Sequence, residues 1–235
     1  AAQQAFEEYC SRSEAHDSPL LILAELYNSV GRSSDAEASF IAAIATADQH
    51  LKTEANLSYA RFLLANNRPE GMAGLLQSAG PEKSNEQKFL RALMFRMQHR
   101  HAEALKILSE MHQANAGDFT ISNQLALVLI ESSDESLRAR ALQLAESNVR
   151  NNEASMEAWS TLGWIQFRLG DTQAAEKSLS VAMQRGIASR DTAMYMSLVQ
   201  RRLGNAQVAD RLVEASRTMT GPFFSGESLQ QRKTK

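Results

Sequence analysis

The chain has 235 residues, with 43% hydrophobic and 22% charged side chains, which is typical of a folded protein with a buried core. Its formal net charge of −2 argues against a general nucleic-acid binder, because such proteins usually carry a basic domain. The single cysteine excludes an intrachain disulfide framework, and 11 Gly with 4 Pro are too few for an all-β protein with many tight turns.

The first predicted element is an amphipathic helix over residues 1–13, which places Ala5, Phe6, Tyr9 and Cys10 on its apolar face. We expect this helix to be a cap or the second half of a truncated repeat. The chain starts without methionine, so we expect a mature form or a part of a longer protein.

Further predicted helices follow, and Ser, Asn, Asp or Gly lies near many of the joins, as helix ends require. Their predicted bounds are 18–31, 34–48, 51–66, 69–79, 84–98, 101–115, 119–132, 135–150, 155–169, 172–185, 189–203 and 206–218. None of these segments approaches the roughly 18 to 20 apolar residues that span a bilayer. The compartment stays open, with a soluble cytoplasmic protein favoured.

One unit of two helices, from Ser155 to Ile187, carries the clearest motif. Its marks are Ala158-Trp159, Leu162-Gly163, Phe167, Gly170-Asp171, Ala175, Leu179 and Ala182. Small residues suit the close approach of two helices, and Gly170 suits a helix end. This set resembles the tetratricopeptide repeat (TPR) family. Two departures are that Phe167 lies one place later than usual and that Ile187 replaces the closing proline.

The same pattern recurs along the chain with a period near 34 residues, which is the TPR period. The small residue of the first helix is found as Ala24, Ala60, Ala92, Ala126, Gly163 and Ser197, with steps of 36, 32, 34, 37 and 34. The step of 37 indicates a short insertion within Glu131–Ser136.

We therefore predict an all-α, right-handed α-solenoid of about six stacked helical hairpins. The predicted repeats are 18–50, 51–84, 85–117, 118–154, 155–188 and 189–218, preceded by an N-terminal helix or partial repeat over 1–17. A polar tail over 219–235 is expected to be mostly disordered, with Phe223-Phe224 anchoring its start on the last helix.

The resemblance implies that ligands bind on the concave face, which the first helices line. The candidate binding residues are Leu57, Arg61, Leu64, Phe89, Leu93, Arg96, Met97, Asn123, Leu127, Ile130, Trp164, Phe167, Arg168, Met194, Leu198, Arg201 and Arg202. They form an apolar strip edged by arginines, which suits a peptide with apolar anchors and acidic flanks. The alternative is an inner face filled by the chain's own side chains, its tail or a second copy.

The resemblance also implies a test for one known use of the family, the carboxylate clamp for chaperone C-termini. The clamp needs Lys and Asn at set places in two successive repeats. Those places hold Leu21 and Glu25 in the first repeat and Ser160 and Trp164 in the fifth, so no such clamp is expected.

The function predicted from these features is a non-catalytic scaffold that binds a peptide or protein segment, with self-association through an exposed end left open. A substrate-recruiting arm of a larger enzyme or assembly is the main alternative, and an RNA-binding helical repeat is a further one. No cofactor or metal is expected: His99, His101 and His112 are interpreted as solvated side chains and Cys10 as a core residue.

Overall fold

A computed structural model describes residues 19–80, 84–184, 186 and 189–225. The predicted helix over 1–13, with Cys10, and the tail past residue 225 lie outside the described residues. Within the described residues the regular structure is entirely helical and contains no strand. The helices form two compact units, of which the first ends at Met94 and the second begins at Phe95.

The first unit contains two helical hairpins and most of a fifth helix. Its elements are α1 (Pro19–Ser29), α2 (Ser33–Thr46), α3 (Gln49–Ala65), a short 3-10 turn (Pro69–Gly71), α4 (Met72–Ser78) and α5 (Asn85–Met97), which continues past the boundary between the units. Aromatic residues join α2 to α3, since the Phe40 ring stacks on Tyr59 at 5.6 Å and lies 5.2 Å from Phe62. Each aromatic pair of this kind stabilises the fold by about 0.5–1.5 kcal/mol, in addition to the contribution of its buried area.

A polar network extends the same junction in the first unit. The Tyr59 hydroxyl and the Arg68 guanidinium each donate a hydrogen bond of 2.7 Å to the Glu37 carboxylate. The bond from Arg68, followed by that from Tyr59, lowers the pKa of Glu37. Burial, together with the nearby carboxylate, raises the pKa of Tyr59 to about 12.

The second unit contains the remaining helices as sequential hairpins. They are α6 (His101–Ala114), α7 (Phe119–Leu129), α8 (Glu135–Asn151), α9 (Met156–Arg168), α10 (Thr172–Ala182), α11 (Arg190–Arg202) and α12 (Ala206–Thr218). Each of α7, α9 and α11 packs on the helix that follows it, and α9 also packs on α7 and α11. The odd-numbered helices of this unit therefore form one continuous layer.

Side chains at the helix starts explain where these elements begin. The residues Asp118, Asp134, Ser155, Asp171 and Ser189 each precede a helix of the second unit and accept a backbone N–H from its first turn. A cap of this kind stabilises a helix by about 1 kcal/mol. Helix α10 begins at Thr172, directly after the Gly170-Asp171 pair of the sequence motif.

The helical hairpins confirm the predicted all-α class of stacked helix-turn-helix units. Gly163 shows why the motif needs a small residue, because a Cβ atom there would lie 2.6 Å from Leu179 Cγ and 3.1 Å from Ala175 O. The connection after α7 spans residues 130–134, where the sequence indicates an insertion.

Candidate functional site

A cavity of about 170 Å³ opens on the layer of first helices in the second unit. Its lining comes from α5, the start of α6, α7, α9 and α11, from the loops after α5 and α7, and from the segment that follows α12. The lining residues are Arg96, His99, His101, Leu127, Glu131, Trp164, Phe167, Arg168, Tyr195, Leu198, Phe224 and Ser225. We call the surface formed by these residues the groove.

Stacked aromatic rings form one wall of the groove. The Trp164 ring stacks on Tyr195 with centroids 4.3 Å apart and on Phe167 with centroids 5.9 Å apart. Trp164 is only 8% exposed, so its position is fixed by this packing. Leu127 and Leu198 extend the apolar lining on the neighbouring helices. The wall is therefore a rigid apolar surface of the kind found at the centre of protein interfaces.

Arginine side chains edge this wall. Arg168 pairs with the Glu131 carboxylate and lies over the Trp164 ring, 5.3 Å from its centroid. Arg202 is exposed and lies 5.9 Å from the centroid of Phe167, and no ion pair to it is found among the described residues. The groove thus combines aromatic faces with one guanidinium available to an anion.

The segment after α12 (residues 219–225, called here the C-terminal segment) enters the same groove. It leaves α12 in an extended conformation at Met219. The Phe224 ring lies beneath the Arg96 guanidinium at 4.0 Å, and the Phe223 ring lies beneath Arg190 at 4.5 Å. Arg96 is 7% exposed and also donates to the Gln124 side chain, so it is held from two sides.

Asp191, in the first turn of α11, binds the backbone of this segment. Its carboxylate accepts the N–H of Phe224 at 3.3 Å and the N–H of Ser225 at 2.9 Å. The Ser225 side chain lies beside the Tyr195 phenol. Burial, followed by the nearby Asp191 carboxylate, raises the pKa of Tyr195, so the phenol is neutral at physiological pH.

His101 borders the cavity from the start of α6. Burial lowers the pKa of His101, against the attraction of Glu131, and Nδ1 has no hydrogen-bond partner among the described residues. His99 lies beside it with ring centroids 5.8 Å apart. Both histidines are half-buried and line the cavity, which corrects their interpretation as solvated turn residues. A group of three or more candidate metal ligands is not found within the described residues.

Six of the candidate binding residues meet at this groove. They are Arg96, Leu127, Trp164, Phe167, Arg168 and Leu198. These residues come from α5, α7, α9 and α11, so the repeat register brings together positions that are far apart in sequence.

Other candidates are buried, which corrects the expectation that they would form an exposed strip. They are Leu57, Leu64, Leu93, Asn123, Ile130 and Met194. The apolar members are packed in the core. Asn123 Nδ2 donates to Glu157 of the next first helix at 2.9 Å, so it links two repeats.

The remaining candidates do not line the cavity. Arg61 in the first unit pairs with Glu54 and Glu86. Arg201 pairs with Asp210 at 2.6 Å. Phe89 and Met97 are half-buried, and Arg202 lies at the edge of the groove, as described above.

Sequence reasoning missed His99, His101, Glu131, Tyr195, Phe224 and Ser225 as groove residues. Two of them carried a signal. Glu131 begins the predicted insertion, which is a place where a repeat departs from its neighbours, and Phe224 belongs to an aromatic pair in an otherwise polar tail. Tyr195 had no such signal.

Comparisons with known proteins identify the fold. No protein-family model matches the chain, and no curated protein matches it. The chain is similar to the structure of the APC/C hetero-tetramer Cut9–Hcn1, with 16% identity, a TM-score of 0.69 and coverage of 91% of this chain and 42% of that one. It is similar to a TPR protein from Parabacteroides merdae, with 15% identity, a TM-score of 0.62 and coverage of 92% and 77%.

A thermophilic TPR protein from Thermus thermophilus is also similar, with 14% identity, a TM-score of 0.62 and coverage of 77% of this chain and 96% of that one. The predicted resemblance to the TPR family is therefore confirmed at the level of the fold. The chain spans less than half the length of the Cut9–Hcn1 chain. Among the described residues, no helix is long and apolar enough to cross a membrane.

Proposed function

We propose that the chain is a non-catalytic scaffold that binds an extended peptide segment of a partner protein in the groove of the second unit. The observation that carries this proposal is the groove itself, where Trp164, Phe167 and Tyr195 present aromatic faces beside an open cavity. Aromatic residues at the centre and arginines at the edge are the composition of an interface core.

The chemistry of the groove favours a ligand with an apolar or aromatic anchor and an acidic neighbour. The cavity has the size to take one such side chain. Arg202 lies near the Phe167 ring, and no carboxylate among the described residues pairs with it. It could therefore bind an aspartate or glutamate next to the apolar anchor of the ligand.

The same charges favour a protein partner over RNA. Arg168 is already neutralised by Glu131, and Arg201 by Asp210, so the groove is not a continuous basic surface. A backbone-binding RNA groove needs unpaired cations along its length. The low net charge of the chain, −2, supports the same choice.

A pull-down with quantitative mass spectrometry tests this function. The wild type is compared with a Phe167→Ala/Leu198→Ala double variant, which removes two half-exposed groove side chains while leaving the buried Trp164 in place. We expect the double variant to lose at least ten-fold of the recovered partner.

Leu169→Ala is the matched control, because Leu169 is a leucine at the end of α9 that is 39% exposed and does not line the cavity. We expect this variant to retain the partner. Equal recovery from all three proteins, each with the same helical circular dichroism spectrum, would contradict the proposed function.

A further inference from the structure

The C-terminal segment is recognised through features that many extended peptides carry. Asp191 accepts two consecutive backbone N–H groups, those of Phe224 and Ser225, and the Arg96 guanidinium covers one aromatic ring. The Ser225 side chain reaches the Tyr195 phenol. Two main-chain bonds and one ring contact make a recognition mode in which the backbone gives affinity and the ring gives specificity.

The polar side chains that bind this segment are themselves buried. Asp191 is 9% exposed and Arg96 is 7% exposed, so both side chains are buried beside the segment. A buried carboxylate is costly unless it is hydrogen-bonded, and Phe224 and Ser225 supply two of its hydrogen bonds. A vacated Asp191 would therefore favour another peptide that offers the same pair of N–H groups.

The attachment of the segment is nevertheless limited. Phe223 and Phe224 remain half-exposed, and each ring lies against an arginine side chain. Arginine contacts of half-exposed rings contribute less than those of fully desolvated rings. The segment also has an open cavity directly beside Phe224 and Ser225, so it fills only part of the groove.

From these contacts we infer that the C-terminal segment is a covalently attached, reversible competitor for the groove. The partner it competes with is an extended peptide that has an aromatic residue followed by a small polar residue, the order found in Phe224-Ser225. This inference rests on the proposed function. It adds the type of peptide that the groove would bind. It also adds a means by which the C-terminal segment would weaken the binding of that peptide.

The short connection from α12 makes this competition effective. Only a few residues separate Thr218, the last residue of α12, from Phe223. A short tether holds its ligand at an effective concentration on the order of millimolar. A free peptide of the same sequence must therefore compete with its tethered copy, and its apparent affinity for the intact chain is reduced accordingly.

The probe for the test is a fluorescein-labelled synthetic peptide with the sequence of residues 219–227, measured by fluorescence anisotropy. It is titrated into the full-length wild type and into a full-length Phe223→Ala/Phe224→Ala variant, whose own segment lacks both anchor rings. We expect the variant to bind the probe at least ten-fold more tightly than the wild type does. A probe with both phenylalanines replaced by alanine is the control, and it should bind neither protein.

A second variant keeps every native residue. A flexible Gly/Ser linker of about 20 residues is inserted between Thr220 and Gly221, so that the segment can still reach its site from a longer tether. The effective concentration falls steeply with tether length, and roughly ten-fold tighter binding of the probe is expected. This arm remains decisive if the double variant proves to be unfolded.

Amide hydrogen exchange of the wild type tests independently whether the probe displaces the C-terminal segment. Saturating probe should displace the tethered copy and accelerate exchange at the Phe224 and Ser225 amides, which Asp191 otherwise protects. Equal probe affinity for the wild type and both variants, or no binding to any of them, would overturn the inference.

The outcomes separate this inference from the proposed function. If the probe does not bind but Phe167→Ala/Leu198→Ala still loses the cellular partner, the groove binds a partner and the segment is simply part of the fold. If the probe binds in the expected order but no partner depends on the groove, the site serves its own segment and the proposed function fails.

Discussion

Gly163 determines how closely α9 and α10 approach in the second unit. A Cβ atom at this position would lie 2.6 Å from Leu179 Cγ and 3.1 Å from both Ala175 O and Leu179 N. Two of these three neighbours are backbone atoms, which cannot move aside independently. The small residue of the motif is therefore required by the contact between helices and not by the conformation of α9.

Gly163→Ala is expected to lower the free energy of unfolding by about 1–3 kcal/mol, the usual cost of overpacking. Urea denaturation followed by circular dichroism measures it. Gly74→Ala is the control, because Gly74 lies in α4 with nothing within 4 Å of its added Cβ. That variant should be neutral or more stable by up to about 1 kcal/mol, since alanine is the better helix former. Similar losses in both variants would contradict the packing argument.

His101 gives the fold a dependence on pH. Burial lowers its pKa in the folded state, whereas an unfolded histidine titrates near its usual value of about 6.5. The unfolded state then binds the proton more readily, so the stabilising contribution of His101 is complete above about pH 6.5 and declines as the pH falls.

We expect the melting temperature of the His101→Gln variant to fall less than that of the wild type when the pH is lowered from 7.5 to 5.0. Differential scanning fluorimetry at the two pH values measures the difference. Part of the decline will remain, because burial also lowers the pKa of His112. An identical decline in the wild type and the variant would show that His101 does not contribute.

Arg202 lies at the edge of the groove and has no carboxylate partner among the described residues. For a partner peptide with an acidic residue beside its anchor, Arg202→Glu should weaken binding about five- to ten-fold, and the loss should shrink at high salt. Isothermal titration calorimetry at two salt concentrations measures this. Arg217→Glu is the control, because Arg217 lies on α12 and does not line the cavity.

The turn after the first helix repeats one backbone feature in five of the six described hairpins. Residues with positive φ occur at the same place in five hairpins: Gly31, Asn67, His99, Gly170 and Gly204. Each lies seven residues after the small residue of its first helix. The structural period is therefore kept even where the sequence does not offer glycine. At His99 the strained turn also places the side chain at the groove.

Gly170→Ala is expected to destabilise the chain by about 1–2 kcal/mol, because its φ of +97° is unfavourable for any residue with a Cβ. Thermal unfolding measures the loss. Gly117→Ala is the matched loop control, since its φ is not in the left-handed region and an added Cβ meets only Asn115 Oδ1 at 3.7 Å. Equal stability of the two variants would rule out strain at the turn.

A second recurring feature is an acidic residue in the first turn of the first helices. Glu86 bonds Arg61 of the preceding repeat, and Glu157 bonds Asn123 of the preceding repeat. Asp191 occupies the same place in the last repeat but accepts the backbone of the C-terminal segment instead. In the last repeat, the acidic position that elsewhere links one hairpin to the preceding one therefore binds the C-terminal segment.

The sequence predicts the fold of the chain far better than it predicts the residues of the groove. The fold follows from a periodic pattern of small and large residues, and such a pattern survives degenerate repeats because every hairpin needs the same close approach at its small residue. The site depends on which apolar residues remain uncovered. Ile130 and Phe167 hold the same position, four residues after the small residue of their helices, yet only Phe167 borders the cavity.

The contribution of the C-terminal segment could not be predicted either. Its contacts join residues that are far apart in sequence, such as Arg96 with Phe224, and the segment itself carries no repeat motif. A polar tail with two phenylalanines predicts an anchor but not its location. The expected anchor was the last helix, whereas the rings lie against Arg96 and Arg190 at the ends of two first helices.

Because each hairpin packs on its neighbours in sequence, the effect of a destabilising substitution should be largest in the adjacent repeats. Leu125→Ala removes a fully buried side chain of α7 and should cost about 2–5 kcal/mol. Hydrogen exchange with mass spectrometry should then show faster exchange in α7 to α10, with α1 and α2 unchanged, since repeats stabilise mainly their neighbours. Faster exchange of the whole chain to the same extent would indicate a single cooperative unit.

The cavity beside the Trp164 and Tyr195 rings has a thermodynamic consequence. Its volume of about 170 Å³ leaves room for several water molecules next to aromatic surface. A ligand side chain that enters would return this water to the bulk, which gives binding a negative change in heat capacity. The enthalpy of binding should therefore become more favourable on warming, so that calorimetry at several temperatures can distinguish filling of the cavity from contact with the arginine edge alone.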